Sequence, residues 1–311
     1  MARLIERESS KTIAAKSQEL SERYRGGSDS SDAVRDDADA AAYLAARMPA
    51  TYAAMASVLS RVGFHASGFA PVSLLDAGAG PGTASFAAAG QWPSLRQVTM
   101  LERNPRMIAA AHALCENASA PALRDAVMIA GDLAATDTSR RQDLVLLGYA
   151  VAEIPGAVLT RALDALWRSC AGVLVIVEPG TPEGFARILQ CRSHLLRLGA
   201  RIVAPCPGDY QCPNDWCHFA VRLPRSKSHM RAKNASVPFE DEKFSYLAAA
   251  RESVAISPAT ARIVAEPRLS KPGVSLRLCA CGEISERFAA RRDKLGYKQA
   301  VKSKWGDAYS L

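Results

Sequence analysis

The feature that most constrains the fold of this chain is a short apolar run that ends in a glycine-rich turn. Residues 74–83 read Leu-Leu-Asp-Ala-Gly-Ala-Gly-Pro-Gly-Thr, and a helical pattern begins directly after them. Glycines are needed in such a turn because the backbone must turn tightly and lie against a ligand, where a Cβ atom would intrude. The segment therefore predicts a strand, a tight turn and a helix that together open a cofactor site in an α/β protein.

The spacing of the glycines distinguishes between two kinds of nucleotide ligand. A dinucleotide-binding loop spaces its glycines G-x-G-x-x-G and holds a pyrophosphate at the helix N-terminus. Here Gly78, Gly80 and Gly82 alternate, and Thr83 stands where the third glycine of that pattern would fall. Asp76, two residues before the first glycine, suits a zwitterionic amino acid better than a pyrophosphate. The loop resembles motif I of class I methyltransferases, which implies binding of S-adenosylmethionine.

Carboxylates also stand at the ends of the next two apolar runs. Glu102 ends the second run, where a carboxylate can accept hydrogen bonds from both ribose hydroxyls of an adenosine. Asp132 follows the third run and is expected to accept a hydrogen bond from the adenine amino group. Tyr149 and Glu153 follow the fourth run, where they either line the site or cap the strand. The predicted cofactor-binding residues are Asp76, Gly78, Gly80, Gly82, Glu102 and Asp132.

Apolar runs that alternate with helical stretches extend this unit into a domain. Almost continuously apolar runs are typical of strands buried on both faces of a parallel sheet. The predicted strands are residues 72–76, 98–102, 126–130, 144–147 and 172–177, and the predicted helices are residues 82–90, 105–117, 156–170 and 182–198. Two later runs, residues 261–265 and 274–278, are expected to finish the same sheet as antiparallel strands. The predicted fold class is α/β, a class I (Rossmann-like) S-adenosylmethionine-dependent methyltransferase fold with an N-terminal helical region and a Cys-rich metal-binding insertion.

The changes of pattern along the chain predict four segments. They are an N-terminal helical region (residues 1–68), the Rossmann-like S-adenosylmethionine-binding domain (69–199), a Cys-rich basic insertion without regular rhythm (200–251), and final strands with a basic C-terminal tail (252–311). Within the first segment, residues 38–59 are an alanine-rich helix by their three- and four-residue apolar spacing. Residues 26–31, rich in Gly and Ser, predict a flexible break.

The eight cysteines are unevenly distributed, and their distribution predicts a metal site. In a chain without an N-terminal secretory pattern they are read as buried apolar residues, nucleophiles or metal ligands rather than as disulfides. Those that stand singly in helical stretches are assigned to packing: Cys115, Cys170 and Cys191. The others form a cluster and a later pair: Cys206, Cys212 and Cys217, then Cys279 and Cys281.

The cysteine cluster leaves the kind of metal and the fourth ligand open. Zinc sites usually pair cysteines two to four residues apart, whereas iron–sulfur clusters are held by four thiolates on less regular loops. The wider spacing here favours an iron–sulfur cluster, with zinc as the alternative. The fourth ligand is Cys279 or Cys281, and His218 is a further candidate that is better read as a hydrogen-bonding neighbour. The alternative without a metal is that the three clustered cysteines are simply buried in a proline-rich loop.

Two basic segments, together with a formal net charge of +8, favour a polyanionic partner. The first has five basic residues and no carboxylate: Arg222, Arg225, Lys227, Arg231 and Lys233. The second, residues 287–304, has seven basic residues against Asp293 alone, and Trp216 and Trp305 stand near the two segments for stacking. Such runs are usually solvated faces, but these predict contact with RNA phosphates. The acidic run at residues 240–242 receives no role.

Apolar runs long enough for a membrane helix, about 20 residues, are absent from the sequence. The first 20 residues mix basic and acidic side chains, which fits neither a secretory signal nor a transit peptide. We therefore expect a soluble protein with no membrane partner. We also expect a monomer.

Seven stretches of the chain resemble a known family. They are residues 74–83, 143–155, 177–185, 204–209, 212–219, 239–246 and 304–307. In these stretches the chain is similar to the methyltransferase-like family associated with the mitochondrial small ribosomal subunit, which also has bacterial members. The resemblance implies an S-adenosylmethionine-binding fold, ribosomal RNA and the small ribosomal subunit as partners, and a 4Fe-4S cluster on Cys206, Cys212, Cys217 and Cys279. It also implies the cytoplasm as location in a bacterium and the mitochondrial matrix in a eukaryote.

The sequence offers no identifiable catalytic group beside the predicted cofactor pocket. Enzymes that methylate amino groups of bases carry an Asn/Asp-Pro-Pro-aromatic stretch after the fourth strand, and residues 148–153 read Gly-Tyr-Ala-Val-Ala-Glu instead. Cytosine C5-methylation needs a cysteine nucleophile, and none follows that strand. The chain is therefore expected to act in ribosome assembly or translation either as an rRNA methyltransferase or as a non-catalytic RNA-binding scaffold. A small-molecule methyltransferase is a more distant alternative, disfavoured by the basic insertion.

Overall fold

The structure, a computed structural model, describes residue 5 and residues 8–25, 33–133, 140–213 and 215–310. The chain forms two compact units, each assembled from separate stretches of sequence. The first comprises Met1–Ser60, Ala70–Ile176 and Val221–Glu242, and the second comprises Arg61–Phe69, Val177–Ala220 and Lys243–Leu311. The predicted flexible break at residues 26–31 lies outside the described residues.

Three helices begin the described chain, as predicted. They are α1 (Ser10–Arg25), α2 (Asp37–Ala46) and α3 (Met48–His65). The single helix expected at residues 38–59 is in fact α2 and α3, which are separated at Arg47. The buried Asp39 of α2 pairs with Lys16 at 3.3 Å and with Arg23 at 3.2 Å, so this carboxylate ties α1 to α2.

A parallel sheet follows the helices in the predicted order of strand and helix. The strands are β1 (Ser73–Ala77), β2 (Gln97–Glu102), β3 (Val127–Ala130), β4 (Gln142–Gly148) and β5 (Cys170–Pro179). The helices between them are α4 (Thr83–Gln91), α5 (Pro105–Cys115), α6 (Pro121–Arg124) and α7 (Gly156–Ser169). The strand order is β3-β2-β1-β4-β5, with β1 parallel to both β2 and β4. Because the chain leaves β1 in one direction and later adds β4 on its other side, the order reverses at the carboxyl end of β1, where such sheets bind ligands.

The stretch predicted as an irregular insertion contains regular structure. After α8 (Pro182–Arg197) it holds β6 (Arg201–Ala204), β7 (Phe219–Pro224), α9 (Lys227–Ala232) and β8 (Phe239–Ala250). Strand β6 pairs antiparallel with β8. The sequence of β8 ends in three alanines, which have weak β propensity, so its strand character depends on pairing and burial rather than on local preference.

The later strands form a second sheet rather than finishing the first one, so that expectation was wrong. The strands are β9 (Ala261–Ile263), β10 (Arg268–Leu269), β11 (Gly273–Ala280), β12 (Glu283–Ala290) and β13 (Ala308–Tyr309), with α10 (Lys294–Lys302) before the last. Cys281 and Gly282 join β11 to β12 with φ angles of 49° and 81°. Positive φ at both residues of a two-residue loop is typical of a hairpin turn, which gives β11 its own antiparallel partner.

Among the described residues, no helix has both the length and the apolarity that crossing a bilayer requires.

Candidate functional site

A pocket in the first unit lies where the parallel strands end. Its walls come from the residues that follow or end β1, β2 and β3 and from the segment after β4: Gly78, Leu101, Glu102, Arg103, Gly131, Asp132, Leu133, Glu153 and Ile154. Three predicted cofactor residues, Gly78, Glu102 and Asp132, therefore line one cavity. Glu153 also lines it, whereas Asp76, Gly80, Gly82 and Tyr149 are not among the lining residues.

Asp76 is a buried carboxylate with one oxygen left without a partner. Its Oδ2 accepts hydrogen bonds from the Ser85 backbone N–H at 2.9 Å and from the Ser85 hydroxyl at 2.7 Å. Its Oδ1 has no hydrogen-bond partner within the described part of the chain. Burial raises the pKa of Asp76 to about 6, opposed by the Ser85 hydrogen bonds and reinforced by the charge of Glu102. Ser85, on α4, orients this carboxylate and was not singled out from the sequence.

The three glycines of the loop all adopt left-handed backbone conformations, with φ of 70°, 54° and 84° at Gly78, Gly80 and Gly82. A Cβ at Gly78 would lie 2.8 Å from the Ala150 Cβ, so that position is also closed by packing. A Cβ at Gly80 would meet no protein atom within 4 Å. Gly80 thus borders space that the protein leaves open, as expected for backbone that faces a ligand.

Glu102 fixes the loop to the end of β2. Its Oε2 accepts a hydrogen bond from the Gly80 N–H at 2.7 Å, and its Oε1 accepts from the Asn104 N–H at 2.8 Å. The next residue, Arg103, has guanidinium nitrogens 3.7 Å from Asp132 and 3.7 Å from Glu153. One arginine therefore links two carboxylates of the pocket wall, a contact that the sequence did not indicate.

The segment after β4 is held by an ion pair whose carboxylate is buried. Tyr149 has φ of 61°, and its hydroxyl donates a hydrogen bond to Glu242 at 3.2 Å. Arg47 forms two bonds with the same carboxylate, at 3.1 and 3.2 Å, and its guanidinium lies 5.2 Å from the centre of the Tyr149 ring. Burial and the charge of Glu242 raise the pKa of Tyr149 well above its usual value. Glu242 belongs to the acidic run to which the sequence gave no role.

Four cysteines line one cavity of about 50 Å³ in the second unit: Cys206, Cys212, Cys217 and Cys279. Cys281 is exposed and is not among the lining residues. As placed, no group of three Cys, His, Asp or Glu side chains in the described ranges has the arrangement that holds a metal ion. The structure therefore brings the four predicted ligands to one cavity without arranging them around an ion.

The thiols of this cavity affect one another electrostatically. Burial raises the pKa of Cys217 well above its usual value, and the charges of Cys206, Cys279 and Cys212 raise it further. Burial likewise raises the pKa of Cys279 to about 11, with the same direction of effect from Cys206 and Cys212. The thiols are close enough that deprotonating all of them requires nearby positive charge.

His218 lies between two tryptophans and is not a residue of the cavity wall. Its ring stacks on Trp216 at 4.2 Å between centroids and meets the edge of Trp305 at 4.8 Å. Burial lowers its pKa. The two tryptophans predicted to stack on RNA bases thus contact this histidine, although Trp216 remains 46% exposed.

Three of the five basic residues of the first segment form ion pairs with the acidic run of β8. Arg222 makes a two-pronged ion pair with Asp241 at 2.7 Å for both bonds, and Arg225 lies 3.3 Å from Glu240. Lys233 pairs with Glu240 as well. Burial tends to raise the pKa of Glu240, but hydrogen bonds and charges of His229 and Lys233 outweigh it and lower the pKa to about 2. The expectation of a carboxylate-poor surface was therefore wrong for this segment.

The second basic segment lacks such partners among the residues that the structure describes. Its seven basic side chains form no ion pair with any carboxylate in the part of the chain that the structure describes. Arg291 lies over the Tyr297 ring, and Arg287 over the Tyr309 ring. The exposed lysines Lys294, Lys298 and Lys302 recur along α10. This segment keeps the unpaired positive surface that the sequence predicted.

The parallel sheet with its reversal at β1, the glycine turn and the acidic end of β2 define a class I, Rossmann-like S-adenosylmethionine-dependent methyltransferase fold. The family model described as mitochondrial small ribosomal subunit Rsm22 matches residues 37–310. The chain therefore belongs to this family, as the resemblance in the sequence predicted.

Two relatives carry the same family relationship. The chain is 28% identical over 293 residues to the human ribosome assembly protein METTL17, mitochondrial, covering 85% of this chain and 61% of that protein. It is 27% identical over 337 residues to the Rsm22-cox11 tandem protein 2, mitochondrial, of Schizosaccharomyces pombe, covering 91% of this chain and 44% of that protein. The chain thus spans only about half the length of these relatives.

Solved methyltransferase structures match with low similarity. A magnesium protoporphyrin IX methyltransferase from Synechocystis PCC 6803 with bound SAM is 15% identical with a TM-score of 0.43, over 65% of this chain and 80% of that chain. A putative RNA methyltransferase from Pyrococcus horikoshii is 16% identical with a TM-score of 0.41, over 63% and 83%.

Proposed function

We propose that this protein is a small-ribosomal-subunit assembly factor that binds S-adenosylmethionine in its first unit and ribosomal RNA through the basic segment of its second. The observation that carries the proposal is the family match over residues 37–310. The name of the human relative, a mitochondrial ribosome assembly protein, supports the same role. The protein would work in the cytoplasm of a bacterium or in the mitochondrial matrix of a eukaryote, as a monomer.

The pocket of the first unit fits S-adenosylmethionine in its chemistry. The unpartnered Oδ1 of Asp76, at the end of β1 and outside the pocket lining itself, is a buried acceptor that suits the ammonium group of the ligand. Glu102 is the acceptor for the ribose hydroxyls, and Asp132 is the acceptor for the adenine amino group. Bound S-adenosylmethionine supplies an activated methyl group. The residues of this chain bind and orient it.

The cysteine cavity fits a group held by four thiolates. Cys206, Cys212, Cys217 and Cys279 would hold a 4Fe-4S cluster, with zinc as the alternative. Such a group would join the loop between β6 and β7 to strand β11. The described residues of this loop form no helix or strand of their own. Its main contribution would be stability of this part of the second unit.

A role without methyl transfer is supported by the segment after β4. The position where base-methylating enzymes hold their target carries Tyr149, whose hydroxyl is occupied by Glu242. The segment also lacks the Asn/Asp-Pro-Pro-aromatic stretch. This arrangement favours a non-catalytic role in which the methyltransferase fold is an RNA-binding scaffold. Bound S-adenosylmethionine would then not donate its methyl group.

Two measurements test the proposal. Removal of the protein from its source cells should lower the amount of mature small subunit in sucrose gradients, and mapping of ribosomal RNA methylation then separates enzyme from scaffold. Calorimetry should show S-adenosylmethionine binding to the wild type and none to Gly80→Val, because a β-branched residue adopts φ of 54° only under strain and its side chain would fill the open space. An unchanged small subunit would refute the assembly role, and normal binding by Gly80→Val would refute the pocket assignment.

A further inference from the structure

Two arginines are buried in the wall of the cysteine cavity. Arg192, on α8, is 5% exposed, and Arg262, on β9, is 2% exposed. Arg262 donates hydrogen bonds to the Pro205 carbonyl at 2.7 Å and to the Gly306 carbonyl at 3.0 Å, and its third nitrogen lies 2.9 Å from His65 Nε2. These partners hold the guanidinium in place, but carbonyl groups do not cancel its charge.

Arg192 is held in the same way. It donates hydrogen bonds to the Tyr210 carbonyl at 2.5 Å and to the Gly208 carbonyl at 3.4 Å. Its Nε has no hydrogen-bond partner among the residues described. The side chain therefore carries a full positive charge at the cavity wall with only neutral acceptors around it.

Among the described residues, the cavity wall offers these two cations no unpaired carboxylate. Within the described ranges neither arginine forms an ion pair, and Asp215, a carboxylate of the cavity wall, is paired with Arg277 at 2.7 Å. A buried charge without a counter-charge is costly, so two of them beside four thiols require an anionic occupant. A group held by four thiolates is such an occupant, because the thiolates bring more negative charge than the metal neutralises.

We infer that Arg192 and Arg262 are the buried counter-ions of the thiolate-bound group, and that they favour its more negative, reduced state. The inference rests on the cysteine-bound group of the proposed function. Positive charge near a cluster raises its reduction potential, since reduction adds negative charge. The two arginines also distinguish this site from a group of cysteines that is merely buried by packing, since such a group needs no buried cations.

The test uses protein purified without oxygen, its iron and acid-labile sulfide content, and a redox titration followed by electron paramagnetic resonance. Arg192→Gln and Arg262→Gln should each shift the midpoint potential downward or lose part of the iron, because the charge is removed. Arg192→Lys and Arg262→Lys keep the charge and should restore most of the potential. Arg268→Gln removes an arginine that is 75% exposed, and it should leave both properties unchanged.

The outcomes separate the inference from the proposal beneath it. Full iron content and an unchanged potential in both Gln variants would overturn the counter-ion role and leave the cluster in place. Lys variants that behave like the Gln variants would also overturn it, since the loss would then follow from shape rather than charge. If the wild-type protein contains zinc, the redox titration is replaced by a measurement of the rate at which zinc is released to a chelator. Zinc release should be faster in the Gln variants and unchanged in the Lys variants. Wild-type protein without iron or zinc would overturn both.

Discussion

Two basic segments of this chain look alike in sequence and differ in their surroundings. The first, around α9, has three of its five basic residues, Arg222, Arg225 and Lys233, paired with Glu240 and Asp241 of β8. The second, along β12 and α10, has seven basic residues without an ion pair in the described part of the chain. A run of positive charge is therefore a binding surface only where no strand brings carboxylates beside it. The comparison shows structural ion pairs in the first segment and supports the proposal that the second segment is the one that contacts RNA.

The largest expected effect is on the cysteine cavity of the second unit. Cys212→Ser should lose most of the bound metal and make the loop that carries Cys206 and Cys217 sensitive to protease, because metal binding and local folding are one equilibrium. Iron analysis and limited proteolysis measure both effects. Cys281→Ser is the matched control, since that exposed thiol lies outside the cavity wall. Equal losses of metal in Cys212→Ser and Cys281→Ser would show that the cysteines of the cavity are not the specific metal ligands.

Removing charge from the second segment should weaken RNA binding strongly. With Lys294, Lys298 and Lys302 all replaced by alanine, the slope of log affinity against log salt should fall by about 3, one per lost phosphate contact. Filter binding to small-subunit RNA at several salt concentrations gives the slope. A slope equal to that of the wild type would make the second segment a solvated face and break the comparison.

The same kind of change in the first segment should act on stability instead. Arg225→Ala with Lys233→Ala leaves the half-buried Glu240 short of partners and should lower the free energy of unfolding by about 2 kcal/mol. The salt slope of RNA binding should stay within about 1 of the wild type. Urea denaturation measures the first quantity. Exposed Lys227 and Arg231 provide the control pair, whose replacement by alanine should change stability little.

The smallest expected effect is a dependence on acid. The folded pKa of Glu240 is about 2, below its unfolded value, so its contribution to stability is complete above the unfolded pKa and is lost as the pH falls toward 2. Glu240→Gln should therefore be less stable than the wild type at neutral pH, with the difference shrinking between about pH 4.5 and 2. Denaturation at several pH values follows this. A constant difference across that range would mean that Glu240 acts through shape and not through charge.

The sequence was sufficient for the structural elements that depend on local pattern. The strands and helices of the parallel sheet lie within a few residues of their predicted bounds, because each is a short apolar run or an apolar periodicity. The glycine turn and Glu102 were recognised because neighbours in sequence define them. The four cysteines of the cavity were named by spacing and by the family resemblance.

Contacts between residues distant in sequence were the part that could not be predicted. The pairing of Arg222 with Asp241 requires knowing that β7 and the start of β8 are neighbours, and β8 itself is hidden by its alanines. The buried Arg262 is one basic residue among many in the sequence, and its position beside Pro205 follows from tertiary packing. The roles of Arg103 and Ser85 were also missed, because each depends on the orientation of a carboxylate side chain in the folded structure.

The left-handed conformation of Tyr149 has an evolutionary consequence. A bulky residue with φ of 61° is strained by roughly 1–3 kcal/mol, and here the hydroxyl bond to Glu242 and the Arg47 guanidinium over the ring hold it. A glycine at position 149 would adopt the same backbone without strain. Descendants with glycine at position 149 would no longer need the ion pair between positions 47 and 242. Positions 47, 149 and 242 should therefore change together in evolution. Lineages with glycine at position 149 should be those in which positions 47 and 242 have diverged.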